Sequence, residues 1–253
     1  MTFALRGPTL RKNLQTGRKG IAMIKGVAFD FDCTMYERTQ VWNQLAPGFI
    51  KRFHDYLEPS LSDESVLRLL QEGDSEGIAC DDDWQGIFGR YIKKGLFAQA
   101  PTYEDFFAFI HAEFPGAIVL QPDAMDCLNE LKKMGMKLGI YTNGLSGYAQ
   151  LKITSTGIDK LMDFILCSGD IGIEKPDKRG FAMLAEGLDL PLEELVFVGD
   201  HPHIDVNGAR NAGMTGVWIK ALVDWPEQLP RPEYTIDTLS GIIAVVNKIN
   251  SES

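Results

Sequence analysis

Short hydrophobic runs alternate with amphipathic segments over much of the chain. The runs predict buried strands at 26–30, 137–141, 164–167, 195–198, 216–219 and 234–236. Between them, apolar positions repeat with helical spacing and predict helices at 121–134, 147–156, 178–186 and 204–212, and after 238. Strands that alternate with helices at this spacing are typical of a parallel sheet covered by helices on both faces.

One long segment interrupts this alternation. Residues 38–118 have a helical pattern and show no intervening strand. We therefore expect an α/β fold: a doubly wound, Rossmann-like parallel-sheet core formed by 23–37 and 119–253, with an inserted α-helical cap domain at 38–118. The aromatic residues of the insertion are expected to form mostly its own core. They are Trp42, Phe49, Phe53, Tyr56, Trp84, Phe88, Tyr91, Phe106, Phe107 and Phe109.

The first 22 residues differ from the rest in charge. They contain five basic residues and no acidic one, whereas the whole chain has a net charge of −10. We expect 1–22 to be a disordered basic extension, or a segment upstream of a true start at Met23. A transit peptide is the alternative, although the segment contains no serine.

Composition disfavours several classes of function. A net acidic protein repels the phosphate backbone, so general nucleic-acid binding is not expected. The most apolar run, 241–246, is far shorter than the roughly 20 residues of a membrane-spanning helix, so no membrane partner is expected. The four cysteines form no C-x-x-C pair and predict reduced thiols, which indicates a cytoplasmic location.

Polar residues follow four of the predicted strands. In an open parallel sheet, ligands bind beyond the carboxyl ends of the strands, so these side chains are expected to converge on one edge. The candidate site residues are Asp30, Asp32, Thr142, Asn143, Lys175, Asp200 and Asp205.

These residue types favour phosphate chemistry. Crowded carboxylates repel one another unless a divalent cation lies among them, and an all-oxygen ligand set suits Mg²⁺. A lysine and a threonine hydroxyl beside the metal suit a phosphate group. A carboxylate can then attack phosphorus, and a second carboxyl group can protonate the leaving oxygen and later activate water.

At these positions the sequence resembles the haloacid dehalogenase superfamily, specifically its aspartate-nucleophile phosphatases with a helical cap. Four motifs of the family are matched in order over residues 25–220. They are Asp30-Phe-Asp32-Cys-Thr34, Thr142 in Tyr-Thr-Asn-Gly, Lys175 in Glu-Lys-Pro-Asp, and Asp200 and Asp205 in Gly-Asp-x-x-x-x-Asp. Any one motif is weak evidence, whereas the ordered set is specific.

The resemblance implies a role for each residue. Asp30 would be the nucleophile and Asp32 the general acid and base. Thr142, Asn143 and Lys175 would bind the phosphoryl group. Mg²⁺ would be bound by Asp30, the backbone carbonyl of Asp32, and Asp200, with Asp205 supporting the metal or its waters. The insertion would close over the substrate and exclude water.

One position departs from the family pattern. Glycine usually follows the second aspartate, but Cys33 stands there in this chain. If the position needs a positive φ, cysteine is costly; if it needs only a small residue, cysteine is tolerable.

The expected function is Mg²⁺-dependent hydrolysis of a small phosphorylated metabolite, such as a nucleotide, a sugar phosphate or phosphoglycolate. Three alternatives stay open: a phosphomutase, a 2-haloacid dehalogenase, and a non-catalytic phosphate-binding scaffold. The family's dehalogenases lack the second acid, whereas Asp32 is present here. The pair His201 and His203 suggests a zinc site more weakly, because no third histidine is near. Candidate specificity residues in the insertion are Trp42, Asn43, Arg90 and Lys94.

Overall fold

The core of the protein is a six-stranded parallel sheet with the strand order β3-β2-β1-β4-β5-β6. A computed structural model describes residues 22–76, 83–145, 147–221 and 223–253. The sheet and its flanking helices confirm the predicted α/β class. The predicted extension lies outside the described residues except for its last residue, and Cys80 also lies outside them.

The strands lie close to the predicted positions. They are β1 (Gly26–Phe29), β2 (Lys137–Thr142), β3 (Phe164–Cys167), β4 (Leu195–Gly199), β5 (Thr215–Ile219) and β6 (Tyr234–Ile236). The helices of the insertion are α1 (Arg38–Phe53), α2 (Asp63–Ser75), α3 (Trp84–Lys93) and α4 (Tyr103–Glu113). The later helices are α5 (Ala124–Lys133), α6 (Tyr148–Thr156), α7 (Ser168–Ile171), α8 (Lys178–Leu188), α9 (Gly208–Ala212) and α10 (Gly241–Ser251).

The strand order creates a switch point beside β1. The chain builds β2 and β3 on one side of β1 and then places β4 on the other side. Phe29 pairs with Ile140 of β2 and with Val198 of β4, so the three strands end at nearly the same level. The residues that follow these strands therefore meet at one edge, where ligands of open α/β sheets bind.

Side chains of the central strands alternate between two apolar layers. Val27 and Phe29 face the larger cluster, which includes residues of α5, α10 and the insertion. Ala28 faces the smaller cluster, which contains Phe181 of α8. A strand buried on both faces needs apolar residues throughout, which explains the continuous hydrophobic run at the start of the core.

The insertion is helical, and its two connections to the core run side by side. Tyr36 is bridged to Leu120, and the Gln121 N–H donates to the Met35 carbonyl at 2.8 Å. Seven of its ten predicted aromatic core residues are buried, the exceptions being Tyr56, Phe107 and Phe109, which are half-buried. The insertion therefore has the expected aromatic interior, and its action as a cap stays a prediction.

Two helix starts differ from the prediction. The helix expected at 121–134 begins at Ala124. Asp123 is its N-cap residue, and the Asp123 carboxylate accepts a hydrogen bond from the Ser240 N–H at 2.7 Å rather than from the helix itself. The helix expected at 204–212 begins as a π-helix, Pro202–Asn207, before α9. Among the described residues, no helix is both long and apolar enough to cross a membrane.

Asp163 joins the beginnings of β2 and β3. Its carboxylate accepts hydrogen bonds from the Leu138 N–H at 2.8 Å and from Lys132 Nζ at 2.7 Å, with Lys137 Nζ at 3.4 Å. Partial burial opposes ionisation of this carboxyl group, but the hydrogen bonds outweigh it and lower the pKa. The pair with Lys132 is partly exposed to solvent, so its contribution to stability is modest.

Replacing Asp163 by asparagine should make stability less dependent on pH. Asparagine keeps an oxygen for Leu138 but loses the charge, so we expect a loss of about 1 kcal/mol in the free energy of unfolding at pH 7. Because the folded-state pKa is lowered, the charge stabilises the fold above the unfolded pKa of about 4 and stops doing so as pH falls. Urea unfolding at pH 7 and pH 3.5 should show the variant's deficit shrinking, whereas the surface variant Asp224→Asn should match the parent at both. An equal deficit at both pH values would exclude the charge as its cause.

Candidate active site

The fold brings the residues predicted at the strand ends to one buried edge of the sheet. Six of the seven are at most 5% exposed: Asp30, Asp32, Thr142, Lys175, Asp200 and Asp205. The seventh, Asn143, is half-buried. Burial of this many charged groups is costly unless they are paired or hold a metal, so their mutual geometry decides what the site can do.

Three carboxylates form the centre of the site. Each of Asp30, Asp200 and Asp205 offers an oxygen, and these oxygens lie within 4.8 Å of one another. Lys175 Nζ donates to Asp30 Oδ1 at 2.5 Å and to Asp205 Oδ1 at 2.7 Å. With all three carboxylates ionised, the cluster and its one ammonium group would carry two excess negative charges, which matches the charge of one divalent cation.

Burial shifts the titration of this cluster. Desolvation raises the pKa of Asp30 to about 6, although the positive charge of Lys175 opposes the shift. Desolvation, together with repulsion from Asp205 and Asp30, raises the pKa of Asp200 well above its ordinary value. For Lys175, burial lowers the pKa, but attraction to Asp205 and Asp30 outweighs it and raises the pKa overall.

Asp200 presents an oxygen that fits a metal ligand. Its Oδ1 lies 3.4 Å from Thr34 Oγ1, which also accepts the Asp200 N–H at 3.1 Å, and Trp218 Nε1 donates to its carbonyl at 2.9 Å. Its Oδ2 is buried and has no hydrogen-bond partner among the described residues. A buried carboxylate oxygen without a partner is costly, and a hard cation bound between the three carboxylates would remove that cost.

Asp205 supports the cluster from the π-helix. Its Oδ1 binds Lys175, and its Oδ2 accepts the His201 N–H at 2.9 Å. This carboxylate lies so close to the end of β4 that a Cβ atom on Gly199 would be 2.3 Å from the Asp205 Cβ. Glycine at 199 is therefore a steric requirement of the close approach between the strand and the loop.

The Lys175 segment is fixed by the residue that follows β2. Asn143 donates through Nδ2 to the Lys175 carbonyl at 3.1 Å and accepts the Lys175 N–H at 2.9 Å. Thr142 is buried beside it, with Oγ1 3.3 Å from the Asn143 carbonyl. The Asn143 side chain thus positions Lys175, and a direct contact of Asn143 or Thr142 with phosphate stays a prediction.

The Asp32 carboxylate is held separately from the cluster. Lys152 Nζ lies 2.7 Å from Asp32 Oδ1 and 2.8 Å from Oδ2, and the Tyr36 hydroxyl also donates to Oδ1. Neither Lys152 nor Tyr36 was identified from the sequence. A signal existed for Lys152, because it lies on the same helical face as the buried Ala149 and Ile153, where a lysine is unusual.

The histidine pair does not form a metal site. His201 Nδ1 accepts the N–H groups of His203 and Ile204, both at 3.1 Å, and so caps the π-helix. Burial lowers the pKa of His201, which favours the neutral ring that this bond requires. In the part of the chain that the structure describes, the group able to hold a metal is the carboxylate cluster.

The four candidate specificity residues are engaged within the insertion. Trp42 is fully buried, and its Nε1 donates to Asp74 Oδ2 at 2.9 Å, so its assignment as a substrate-facing residue is wrong. Arg90 Nε donates to the Gly73 carbonyl at 2.6 Å, and Lys94 Nζ binds Glu76 at 2.6 Å. Asn43 is exposed and accepts a hydrogen bond from Gln71 at 3.0 Å.

Most of the chain matches the model of one protein family. A family model described as haloacid dehalogenase-like hydrolase matches residues 24–213. The chain belongs to the haloacid dehalogenase-like hydrolases. This finding confirms the family predicted from the four motifs, and with it the prediction of a hydrolase.

Individual members of the family resemble this hydrolase along nearly its whole length. The glyceraldehyde 3-phosphate phosphatase of Methanopyrus kandleri is 30% identical over 239 residues, which cover 90% of this chain and 99% of the relative. The crystal structure of a HAD phosphatase from Thermococcus onnurineus is 27% identical, with a TM-score of 0.61 over 88% of this chain and 98% of that chain. Both relatives carry phosphatase names, in agreement with the predicted enzyme class.

A dehalogenase shares the same fold. The structure of L-2-haloacid dehalogenase from Xanthobacter autotrophicus is 18% identical, with a TM-score of 0.65 over 89% of this chain and 99% of that chain. This likeness concerns the fold alone. Phosphatase and dehalogenase chemistry must therefore be separated by the site residues rather than by the architecture.

Cys33 occupies a left-handed backbone conformation in this hydrolase. Its φ is 59°, so the glycine usual at this position answers a conformational need and is not merely small. The expectation of reduced thiols is wrong at Cys33, which is disulfide-bonded, and it holds at the buried Cys127 and Cys167. Spacing along the chain does not reveal which cysteines a fold brings together, which is why the sequence did not indicate this bond.

The cost of a side chain at position 33 can be measured with a pair of variants. Cys33→Gly and Cys33→Ala both remove the sulfur and its bond, so they differ in the Cβ atom alone. We expect Cys33→Gly to be more stable to urea than Cys33→Ala by about 1 kcal/mol, because glycine adopts a positive φ without strain. Equal stabilities, or a more stable alanine variant, would contradict a strained conformation at this residue.

Proposed function

We propose that this hydrolase is a Mg²⁺-dependent phosphomonoesterase that acts on a small phosphorylated metabolite through an aspartyl-phosphate intermediate. The observation that carries the proposal is the position of Asp30. Its buried carboxylate lies at the switch point of the sheet, bound to Lys175 and beside two further carboxylates. A carboxylate nucleophile next to a cation and a metal cluster suits attack on a phosphate ester.

In the first step, a carboxylate oxygen of Asp30 attacks phosphorus and the bond between phosphorus and the ester oxygen breaks. The leaving oxygen takes its electron pair and receives a proton from the Asp32 carboxyl group. Lys175 Nζ, already 2.5 Å from Asp30 Oδ1, would lie close to the transferred group and balance its negative charge. The products of this step are the alcohol and an acyl phosphate on Asp30.

In the second step, water attacks phosphorus of the acyl phosphate. The Asp32 carboxylate removes a proton from this water, the bond between Asp30 oxygen and phosphorus breaks, and inorganic phosphate leaves. Asp30 is thereby restored as a carboxylate and Asp32 as an acid. One group acts as acid and then as base, so its orientation must suit both the leaving oxygen and the attacking water.

The described residues fit a magnesium ion. We assign its ligands to Asp30, Asp200 and the backbone carbonyl of Asp32, with Asp205 supporting the metal through its position beside them. The fit rests on the two excess negative charges of the cluster and on the buried Asp200 Oδ2 without a partner. When bound, the metal would neutralise charge on the phosphoryl oxygens and so lower the repulsion that Asp30 meets on attack.

We assign phosphate binding to Lys175 and Thr142, with Asn143 holding the Lys175 segment. The helical insertion at 38–118 would act as a cap, since both of its connections join the core next to Asp32. A cap that closes over the edge of the sheet favours small substrates over phosphoproteins. A three-carbon phosphate is a first choice for assay, because the relative from Methanopyrus kandleri is named for one.

The role of Asp30 can be tested with a generic substrate. Asp30→Asn keeps the size of the side chain and an oxygen for Lys175 but removes the nucleophile, so hydrolysis of p-nitrophenyl phosphate should fall by more than about 10³-fold. The matched control is Asp55→Asn, which alters a carboxylate that is 96% exposed on the insertion and should leave the rate unchanged.

A panel of phosphate monoesters separates the remaining alternatives. Release of phosphate from small esters by the parent protein, lost in Asp30→Asn, supports the proposal. Conversion of a sugar phosphate without release of phosphate would favour a phosphomutase instead. Halide release from a 2-haloacid would favour a dehalogenase, and Mg²⁺ binding without turnover of any ester would favour a scaffold.

Magnesium should stabilise the protein more at pH 7.5 than at pH 5. The metal binds ionised carboxylates, so it must displace the proton that Asp30, with its pKa raised to about 6, holds at pH 5. The raised pKa of Asp200 acts in the same direction. Below the pKa of a ligand carboxyl group, the displaced proton weakens Mg²⁺ binding about tenfold for each pH unit. Without metal, the stability of the fold should depend on pH in the opposite direction. The folded protein holds the Asp30 proton more tightly than the unfolded chain does, so its stability should fall as pH rises from about 4 to 6.

Thermal unfolding at both pH values, without Mg²⁺ and with about 10 mM Mg²⁺ to saturate a weak site, measures the stabilisation by metal and the pH dependence of the metal-free protein. Asp200→Asn should abolish most of the magnesium-dependent rise in Tm at pH 7.5, whereas Asp55→Asn should preserve it. The assignment of the metal site fails if Mg²⁺ stabilises the parent and Asp200→Asn equally.

A further inference from the structure

Lys152 is a fully buried lysine whose ammonium group binds the second aspartate of the site. Its Nζ lies 2.7 Å and 2.8 Å from the two carboxylate oxygens of Asp32, and its side chain is 0% exposed. The Tyr36 hydroxyl donates to the same carboxylate. Both oxygens of Asp32 are therefore engaged, and the plane of the carboxylate is fixed.

The helix that carries Lys152 is itself fixed between the core and the insertion. Tyr148, one turn earlier on α6, places its ring 5.6 Å from Lys152 Nζ and stacks on His111 of α4 with ring centroids 4.6 Å apart. Near the other end of α6, Ser155 Oγ donates to the Pro115 carbonyl at 2.6 Å. The backbone that delivers the ammonium group to Asp32 therefore has little freedom to shift.

Stability alone is a weak reason for such a pair. Removing two charges from water costs about as much as their attraction returns, so a buried ion pair rarely stabilises a fold more than apolar residues of the same volume. Here the pair lies two residues along the chain from Asp30 and fixes the group that must exchange protons with substrate and water. The position of this ion pair therefore indicates a role in the reaction rather than in stabilising the core.

We infer that Lys152, assisted by Tyr36, is a positioning residue that holds the Asp32 carboxyl group in the orientation needed for proton transfer. This inference rests on the proposed function, in which Asp32 protonates the leaving oxygen. Lys152 itself touches neither the phosphoryl group nor the metal cluster in this assignment. Lys175 binds Asp30, and Lys152 binds Asp32.

The inference predicts a loss that depends on the leaving group. Proton donation contributes strongly to expulsion of an alkoxide and little to expulsion of p-nitrophenolate, which is stable without a proton. The ratio kcat/KM reports steps up to the first irreversible one, which is formation of the acyl phosphate. Lys152→Met should therefore lower kcat/KM about 10- to 100-fold for an alkyl phosphate and less than about 3-fold for p-nitrophenyl phosphate.

Several variants separate positioning from folding. Lys160→Met makes the same substitution at an exposed lysine just beyond α6 and should change neither substrate's kinetics. Tyr36→Phe should repeat the leaving-group dependence of Lys152→Met with a smaller loss. Lys152→Arg retains a cation able to bind both oxygens and should recover part of the alkyl phosphate activity.

A double variant gives the decisive comparison. In an Asp32→Ala background there is no carboxyl group to position, so adding Lys152→Met should lower kcat/KM for the alkyl phosphate less than about 2-fold further. Circular dichroism and active-site titration correct each rate for the folded fraction, and Tyr36→Phe provides the test if Lys152→Met does not fold.

The possible results fall into clear groups. A selective loss on the alkyl phosphate that disappears in the Asp32→Ala background supports the inference. Equal losses on both substrates, or a full further loss in the Asp32→Ala background, overturn it in favour of a structural role. A parent protein that hydrolyses neither ester while binding Mg²⁺ would instead overturn the proposed function.

Discussion

The cost of burying carboxylates at the carboxyl edge of the sheet is the constraint on which the site depends. Asp30, Asp200 and Asp205 are nearly inaccessible to water, and Lys175 is the lysine placed among them. Desolvation raises the pKa of Asp30 to about 6 although the positive charge of Lys175 opposes the shift, so the lysine does not offset the cost of burying this carboxyl group. The surrounding residues hold these groups in place. Asn143 binds the Lys175 segment and Thr34 binds Asp200 through hydrogen bonds. Gly199, which has no Cβ atom, leaves the space that Asp205 occupies.

Much of this arrangement could be predicted from the sequence because it follows from parallel-sheet geometry. Strands buried on both faces must be continuous hydrophobic runs, and polar residues directly after such runs must meet at one edge. Asp30, Lys175, Asp200 and the other edge residues follow from this geometry, and the family model confirms the family that their motifs indicate. The same reasoning predicts the helical insertion, since no strand pattern interrupts 38–118.

The features that the sequence did not indicate depend on contacts across the fold. Lys152 is 120 residues from Asp32, and Trp42 is turned into the insertion by Asp74, which is 32 residues away. Periodicity shows which face of a helix is buried, but not which polar group that face meets. For Cys33 the family pattern raised the question of a positive φ, and the backbone of 59° answered it.

Asp30 and Asp32 are separated by one residue, yet their surroundings differ. Asp30 belongs to a cluster with excess negative charge, where burial favours its protonated form until a cation compensates the charge. Asp32 has its own buried lysine, together with a tyrosine hydroxyl on one oxygen.

Two carboxyl groups can perform different tasks only if their environments differ, since the side chains are chemically identical. A single lysine shared between them would couple the two groups that we propose as nucleophile and proton carrier. Two lysines, on the loop before α8 and on α6, allow each aspartate to be oriented independently, and the proposed mechanism with one nucleophile and one acid requires this separation.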